Sequence, residues 1–202
     1  MLGDIRRAQG DTAAAEWLYR EGLERSRAAD HRPDIARCLS QWGVLECGRG
    51  SYSLAERYQR DALAIWQGAG NEVEIAAVQR HLGHILATAG SERGTEAGQH
   101  YADALALALR HQLAPVALDV LVGSAAHLRH TMTAGEAIEL LVLAARHPAS
   151  EIDTRRRAET LLAELVPGED DWADGGAPPD VASLDWTRAA GQRAESFRHH
   201  TG

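Results

Sequence analysis

The sequence predicts an all-α protein, an α-solenoid of antiparallel helix hairpins. Gly3, Gly43, Gly83 and Gly123 stand forty residues apart, preceded by Leu2, Trp42, Leu82 and Val122. Gly10, Gly50 and Gly90 keep the same forty-residue interval. Between them, small and aromatic residues recur at helical spacing, on one face. A self-similar period in the range of about 20–50 residues marks stacked units that bury their faces only against neighbours.

Each unit opens with a helix whose small Gly allows close helix–helix approach, turns, and enters a second helix. The second helices carry Ala15, Tyr19, Gly22 and Leu23; Ala55, Tyr58, Ala62 and Leu63; Ala97, Tyr101, Ala104 and Leu105; and Ala137, Leu141, Ala144 and Ala145. Small residues there let the next hairpin nest, and larger ones fill the gaps. Pro33 and Pro115 suit a first helical turn, where a missing N–H costs little. Asn71 with Glu74, Ser53 with Glu56, and Thr133 with Glu136 read as capping boxes. Gly10, Gly50 and Gly90 are expected to end the first helices in left-handed conformation. From the third unit on, this turn is two residues longer, since Gly83 to Ala97 is 14 residues while Gly43 to Ala55 is 12. A final helix is expected from Ser150, as its cap, to Leu165, covering the last hairpin.

The array therefore occupies residues 1–166, as four units of about forty residues, the first truncated, plus a capping helix. Pro33 opens the second unit nine residues ahead of Trp42, whereas Leu2 is almost the first residue. The first helix thus lacks about half its length, and the chain is expected to be a piece of a longer protein. Residues 167–202 read as an acidic Pro/Gly linker and a tail. Pro167–Ala182 holds three Pro, three Gly and five acidic residues, with no basic one, a composition that buries too little to offset its ordering entropy. Beyond it, Leu184, Trp186 and Phe197 are sparse apolar positions, and the tail is expected to be disordered or loosely docked.

Composition narrows the function. The net charge is −8, and all 21 basic residues are Arg, which disfavours nucleic acid. Without Lys, the chain supplies no phosphate-loop Lys and no Schiff-base Lys, and no cofactor is expected. Cys38 and Cys47, nine apart on one helix, lie roughly 13 Å apart along its axis, too far for a disulfide. With no secretory signal and no long apolar run, the expectation is a cytoplasmic protein that does not enter membranes.

The Leu-Gly, Ala, Tyr, Ala-Leu pattern resembles the tetratricopeptide repeat, although that unit is usually about 34 residues long. The longer unit is similar to the helical sensor arrays of large bacterial signal-transducing ATPases and transcriptional activators, with Ala137–Leu165 resembling their end. The resemblance implies a right-handed superhelix and a signalling or transcription-regulating role. It also implies contact with an upstream ATPase domain. In such arrays the first helices line a concave groove, with groove-facing positions three before, one after and four after the key Gly. Carried over, these are Ser40, Val44 and Cys47; Arg80, His84 and Ala87; and Val120, Ser124 and His127. Arg37 extends the row, and the first unit adds Asp4 and Arg7. This mix suits an extended peptide with acidic groups.

The leading expectation is a non-catalytic module that binds a protein or peptide. Alternatives from other classes are an enzyme or metal-dependent protein using His84, His127 and nearby Arg, and a structural array that forms a homodimer through its incomplete first hairpin. The pairs His81/His84 and His127/His130 have one-face spacing, and His84 could meet His127 across the groove. Neither pair contains a carboxylate, so no metal site is assigned. Cys47 lacks a local activating arrangement. Arg155, Arg156 and Arg157 read as a solvated face, and Trp17, Trp42 and Trp66 as packing residues.

Overall fold

Glycine punctuation divides the chain into helices joined by very short turns. In the computed structural model, which describes residues 2–127, 132–165 and 185–199, these are α1 (Leu2–Ala8), α2 (Thr12–Ala28), α3 (Arg32–Gly48), α4 (Tyr52–Ala69), α5 (Glu72–Ala89), α6 (Gly94–His111), α7 (Ala114–His127), α8 (Ala134–Arg146), α9 (Ile152–Leu165) and α10 (Trp186–His199). Among the described residues there is no strand. From α1 to α9 each helix packs on the next, giving an all-α solenoid. Successive odd helices, α3–α5, α5–α7 and α7–α9, also touch directly, whereas no two of α2, α4, α6 and α8 pack as closely. The odd layer is therefore the inner side of the curve. No described helix is long and apolar enough to cross a membrane, and both cysteines are free thiols.

Local chemistry sets the helix ends. Gly10 (φ 81°) and Gly50 (φ 79°) take the left-handed conformation between hairpin helices, which costs a residue without Cβ little. Gly90 differs, with φ 158° and ψ 152°. A 3₁₀ turn, Ser91–Arg93, follows it and takes up the longer spacing of that unit. Asn71 caps α5 by accepting from the Glu74 N–H at 3.2 Å, and Thr133 with Glu136 forms a complete capping box. The other two expected caps are corrected. Ser51, not Ser53, precedes α4, without a side-chain cap bond, and Glu56 pairs with Arg60 and Arg93 instead of closing a box. Helix α9 starts at Ile152, and the Ser150 hydroxyl is buried without a hydrogen bond instead of capping it.

Each key glycine of an odd helix receives a side chain from the neighbouring layer. A Cβ on Gly3 would run into the Tyr19 ring, and one on Gly83 into the Tyr101 ring. In the second unit the same place is filled by Gln59, which is fully buried against Gly43. Tyr58 is one residue out of that register and stacks on Trp42 at 5.0 Å. Trp66 is core, whereas Trp17 is 59% exposed and does not act as the packing residue its spacing suggested.

The tail departs from expectation. Trp186–His199 is a helix packed against α6 and α7, with Ala190, Ala194 and Phe197 buried. Its face is built from alanines, which allow close approach but look apolar-poor in sequence. Gly98 supplies the matching hollow, 3.3 Å from the Phe197 ring to a Cβ placed there. The expected acidic linker and Leu184 lie outside the described residues.

These glycine environments predict opposite effects for one substitution. Gly83→Ala gains about 1 kcal/mol of helix propensity but overpacks Tyr101, at a cost of about 1–3 kcal/mol, so its melting temperature falls below wild type. Gly68→Ala in α4, where nothing lies within 4 Å, keeps only the propensity gain. Its melting temperature rises in thermal denaturation followed by circular dichroism.

Candidate functional site

Helix α7 is nearly all apolar. Between Ala114 and Ala126 its single charged residue is Asp119, and a lone carboxylate in an apolar helix must find partners or remain neutral. It finds four. Asp119 Oδ2 accepts from His84 Nε2 at 2.8 Å and from an Arg80 guanidinium nitrogen at 3.2 Å, both from α5. Its Oδ1 accepts from Arg157 at 2.9 Å and from the Thr154 hydroxyl at 3.1 Å, both from α9. One buried carboxylate thus ties three consecutive helices of the inner layer together.

The network continues on both sides. The Tyr101 hydroxyl on α6 donates to His84 Nδ1 at 2.7 Å, and the two rings meet edge to face at 5.3 Å. Arg80 also donates to His81 Nε2 at 2.7 Å. The His81 Nδ1 lies 3.5 Å from the Ser40 hydroxyl, which itself donates to Gln59 Oε1 at 3.0 Å. Gln59 returns a hydrogen bond to the Ser40 carbonyl at 2.8 Å. The polar seam therefore runs from the α3–α4 hairpin to α9.

The charge states follow from burial and partners. Burial alone would raise the Asp119 carboxyl, but His84, Arg80 and Arg157 outweigh it and hold Asp119 well below the usual carboxylate range. Burial pushes His84 down against the pull of Asp119, and burial with the neighbouring Arg80 pushes His81 well down. Burial raises the Tyr101 hydroxyl, so it stays protonated and donates. His84 is thus the neutral tautomer with its proton on Nε2, accepting from Tyr101 and donating to Asp119. Two guanidinium groups then face one carboxylate, leaving a net positive charge at this cluster in a chain whose total is −8. Arg7 on α1 acts on His81 from the other end and adds to this charge.

Of the row that the resemblance implied, Arg80 and His84 meet at the Asp119 cluster, and the rest is dispersed. Arg37 pairs with Asp34 at 2.7 Å, at the edge. Ser40 is buried, with its hydroxyl committed to Gln59. Val44 and Cys47 are half-buried, and burial raises the Cys47 thiol despite the charge of Arg157. Val120 and Ser124 are in the core, the Ser124 hydroxyl donating to the Leu121 carbonyl at 2.8 Å. His127 is exposed at the end of α7. Both ring nitrogens of His84 are taken, so the His84–His127 approach does not form, and His130 lies outside the described residues. Among the described residues no three His, Cys, Asp or Glu side chains gather as metal ligands.

Two positions were missed. Asp119 stands four before Gly123, one residue ahead of the expected position at Val120, in a helix buried almost all round that places Val120 and Ser124 in the core. Arg157 does not merely solvate a helix face, since it reaches inward to Asp119. The signal available in the sequence was the isolated carboxylate itself.

No family model matches the chain, and no curated protein matches it. Among solved structures, the crystal structure of BtubC (BKLC) from P. vanneervenii is similar, with a TM-score of 0.61 and 21% identity over 98% of this chain and 78% of that one. At that identity the likeness shows a shared fold.

Removing Asp119 leaves Arg80 buried beside no anion, so Asp119→Ala is expected to cost about 3–5 kcal/mol in chemical denaturation. Arg157 is 42% exposed, and Arg157→Ala costs about 0–1 kcal/mol. A second prediction concerns pH. The folded values of His81, His84 and His100 all lie below the ordinary 6.5. The unfolded chain therefore binds more protons below that value, and stability falls as pH drops through and beneath 6.5. His81→Asn reduces proton uptake on unfolding by about one, which the pH dependence of the denaturation midpoint measures.

Proposed function

We propose that this chain is a tetratricopeptide-type, non-catalytic module that holds an acidic segment of a partner protein in the groove formed by its odd helices. The observation that carries the reading is the charge imbalance at the groove centre, where Arg80 and Arg157 share the single carboxylate of Asp119 and Arg7 stands nearby. Arg157 is partly exposed and directs one guanidinium nitrogen to Asp119, which leaves donors for a second anion. Guanidinium–carboxylate bonds are strong and directional enough to fix the register of an extended peptide.

A binding role is supported over catalysis by the state of the reactive groups. The buried His84 has donor and acceptor both engaged, and Cys47 has a raised thiol value, the reverse of an activated nucleophile. By resemblance to sensor arrays, the bound segment would report a signal to an ATPase or transcription factor in a bacterial cytoplasm. Binding would act by favouring one curvature of the stacked hairpins.

Fluorescence anisotropy with a labelled ten-residue peptide rich in Asp and Glu, against its Asn/Gln counterpart, tests the reading. The acidic peptide is expected to bind with an affinity that falls as salt rises. Arg157→Ala is expected to weaken it by about ten- to hundred-fold, the range for a hydrogen bond to a charged group. Equal binding of both peptides, or no loss on Arg157→Ala, would overturn the reading.

A further inference from the structure

Tyr101 joins two parts of the molecule that the groove alone does not explain. Its ring is fully buried. On one side the ring packs on Phe197 of α10, with centroids 5.9 Å apart. At the other end its hydroxyl donates to His84, which donates to Asp119, which is held by Arg157 of α9. A single side chain therefore stands between the tail helix on α6 and α7 and the ion cluster of the inner layer. Gly123 keeps this passage open, since a Cβ there would collide with both the His84 ring and the Tyr101 hydroxyl.

Helix α10 is docked closely on one side only, against α6 and α7. Its apolar anchor is Phe197 with Ala190 and Ala194, all buried, and Trp186 and Ala189, half-buried against the same core. Its contact also buries Arg193, whose guanidinium lies 4.3 Å from the Phe197 ring centre. Burial pulls the Arg193 guanidinium down to about 10, so docking works against that charge. On the far side, α10 leaves a cleft of about 120 Å³ against α8, lined by Glu136, Glu139 and Leu140 on α8 and by Gln192, Arg193 and Ser196 on α10. The helix is thus packed closely against α6 and α7 but only loosely against α8. The desolvation of Arg193 and the open flank toward α8 weaken a hold that rests mainly on α6 and α7.

We infer that α10 is a releasable strap whose hold on α6 and α7 is set by the groove cluster through Tyr101, so that a change at Asp119 or Arg157 loosens the tail helix. The hydroxyl of Tyr101 fixes the ring against which Phe197 rests. When the His84–Asp119 pair shifts, the ring loses its tether and the Phe197 seat loosens. Coupling of this kind is reciprocal, so undocking α10 also relaxes the His84 side of the groove. The outward face of α6 and α7 freed by the strap would accept a helix with the same pattern, small residues one turn apart followed by an aromatic three further on.

Hydrogen–deuterium exchange of the full-length chain, read by mass spectrometry over residues 186–199, tests the inference without any groove ligand. Phe197→Ala sets the scale for an undocked strap. Tyr101→Phe keeps the ring and removes only the hydroxyl, and it is expected to speed exchange across α10 by about threefold or more, with α3 and α4 unchanged. Arg157→Gln, which changes one exposed partner of Asp119, is expected to shift α10 in the same direction. Faster exchange in Phe197→Ala with none in Tyr101→Phe or Arg157→Gln would overturn the coupling and leave α10 an independent appendage. Acceleration spread equally over α3 and α4 would overturn it as well, because the effect would then be global unfolding.

Discussion

Burying one carboxylate in an apolar helix is the constraint around which the protein is arranged. Asp119 has no water to solvate it, so α5 must deliver Arg80 and His84, and α9 must deliver Arg157 and Thr154. Those demands fix how the last hairpins stack. In a solenoid each unit touches only its neighbours, and apolar faces alone tolerate sliding. A carboxylate with four directional partners on two neighbouring helices does not. Such a cluster is weak evidence for stability, because the desolvation of its charges offsets much of their attraction. It serves better to fix one relative position of α5, α7 and α9.

The same cluster gives the inner surface its chemical character. Because His84 is neutral and bonded at both nitrogens, it contributes geometry without charge. The surplus belongs to the guanidinium groups, and Arg has the planar donor set to share two anions at once. A chain with a net charge of −8 thereby keeps a basic centre. On the opposite side of Tyr101 the tail helix rests on alanines and one Phe. Groove and strap are two faces of one connected core.

Much of this was legible in the sequence, and the remainder failed for identifiable reasons. The period gave the hairpins and the left-handed turns at Gly10 and Gly50, and local residue types gave the caps at Asn71 and Thr133. Register was less accessible. Gln59 takes the slot that Tyr19 and Tyr101 occupy, and spacing by residue type pointed to Tyr58, one residue away. Helix α7 is buried almost all round, so Val120 and Ser124 went to the core while Asp119 found its partners on α5 and α9. The docked α10 was hidden because alanines form its interface, and close packing against Gly98 is a property of two distant segments together. Pattern reports which residues share a face; it does not report how far a helix is rotated when both of its sides are buried.

The most direct test is the protonation state of His84, read from its ring nitrogens by long-range ¹H–¹⁵N NMR at neutral pH. The arrangement around Asp119 requires a neutral imidazole with the proton on Nε2, unchanged in a Tyr101→Phe variant and altered in Asp119→Asn. A protonated ring, or a proton on Nδ1, would contradict it, because the cluster would then hold a different charge and Tyr101 could not donate to His84.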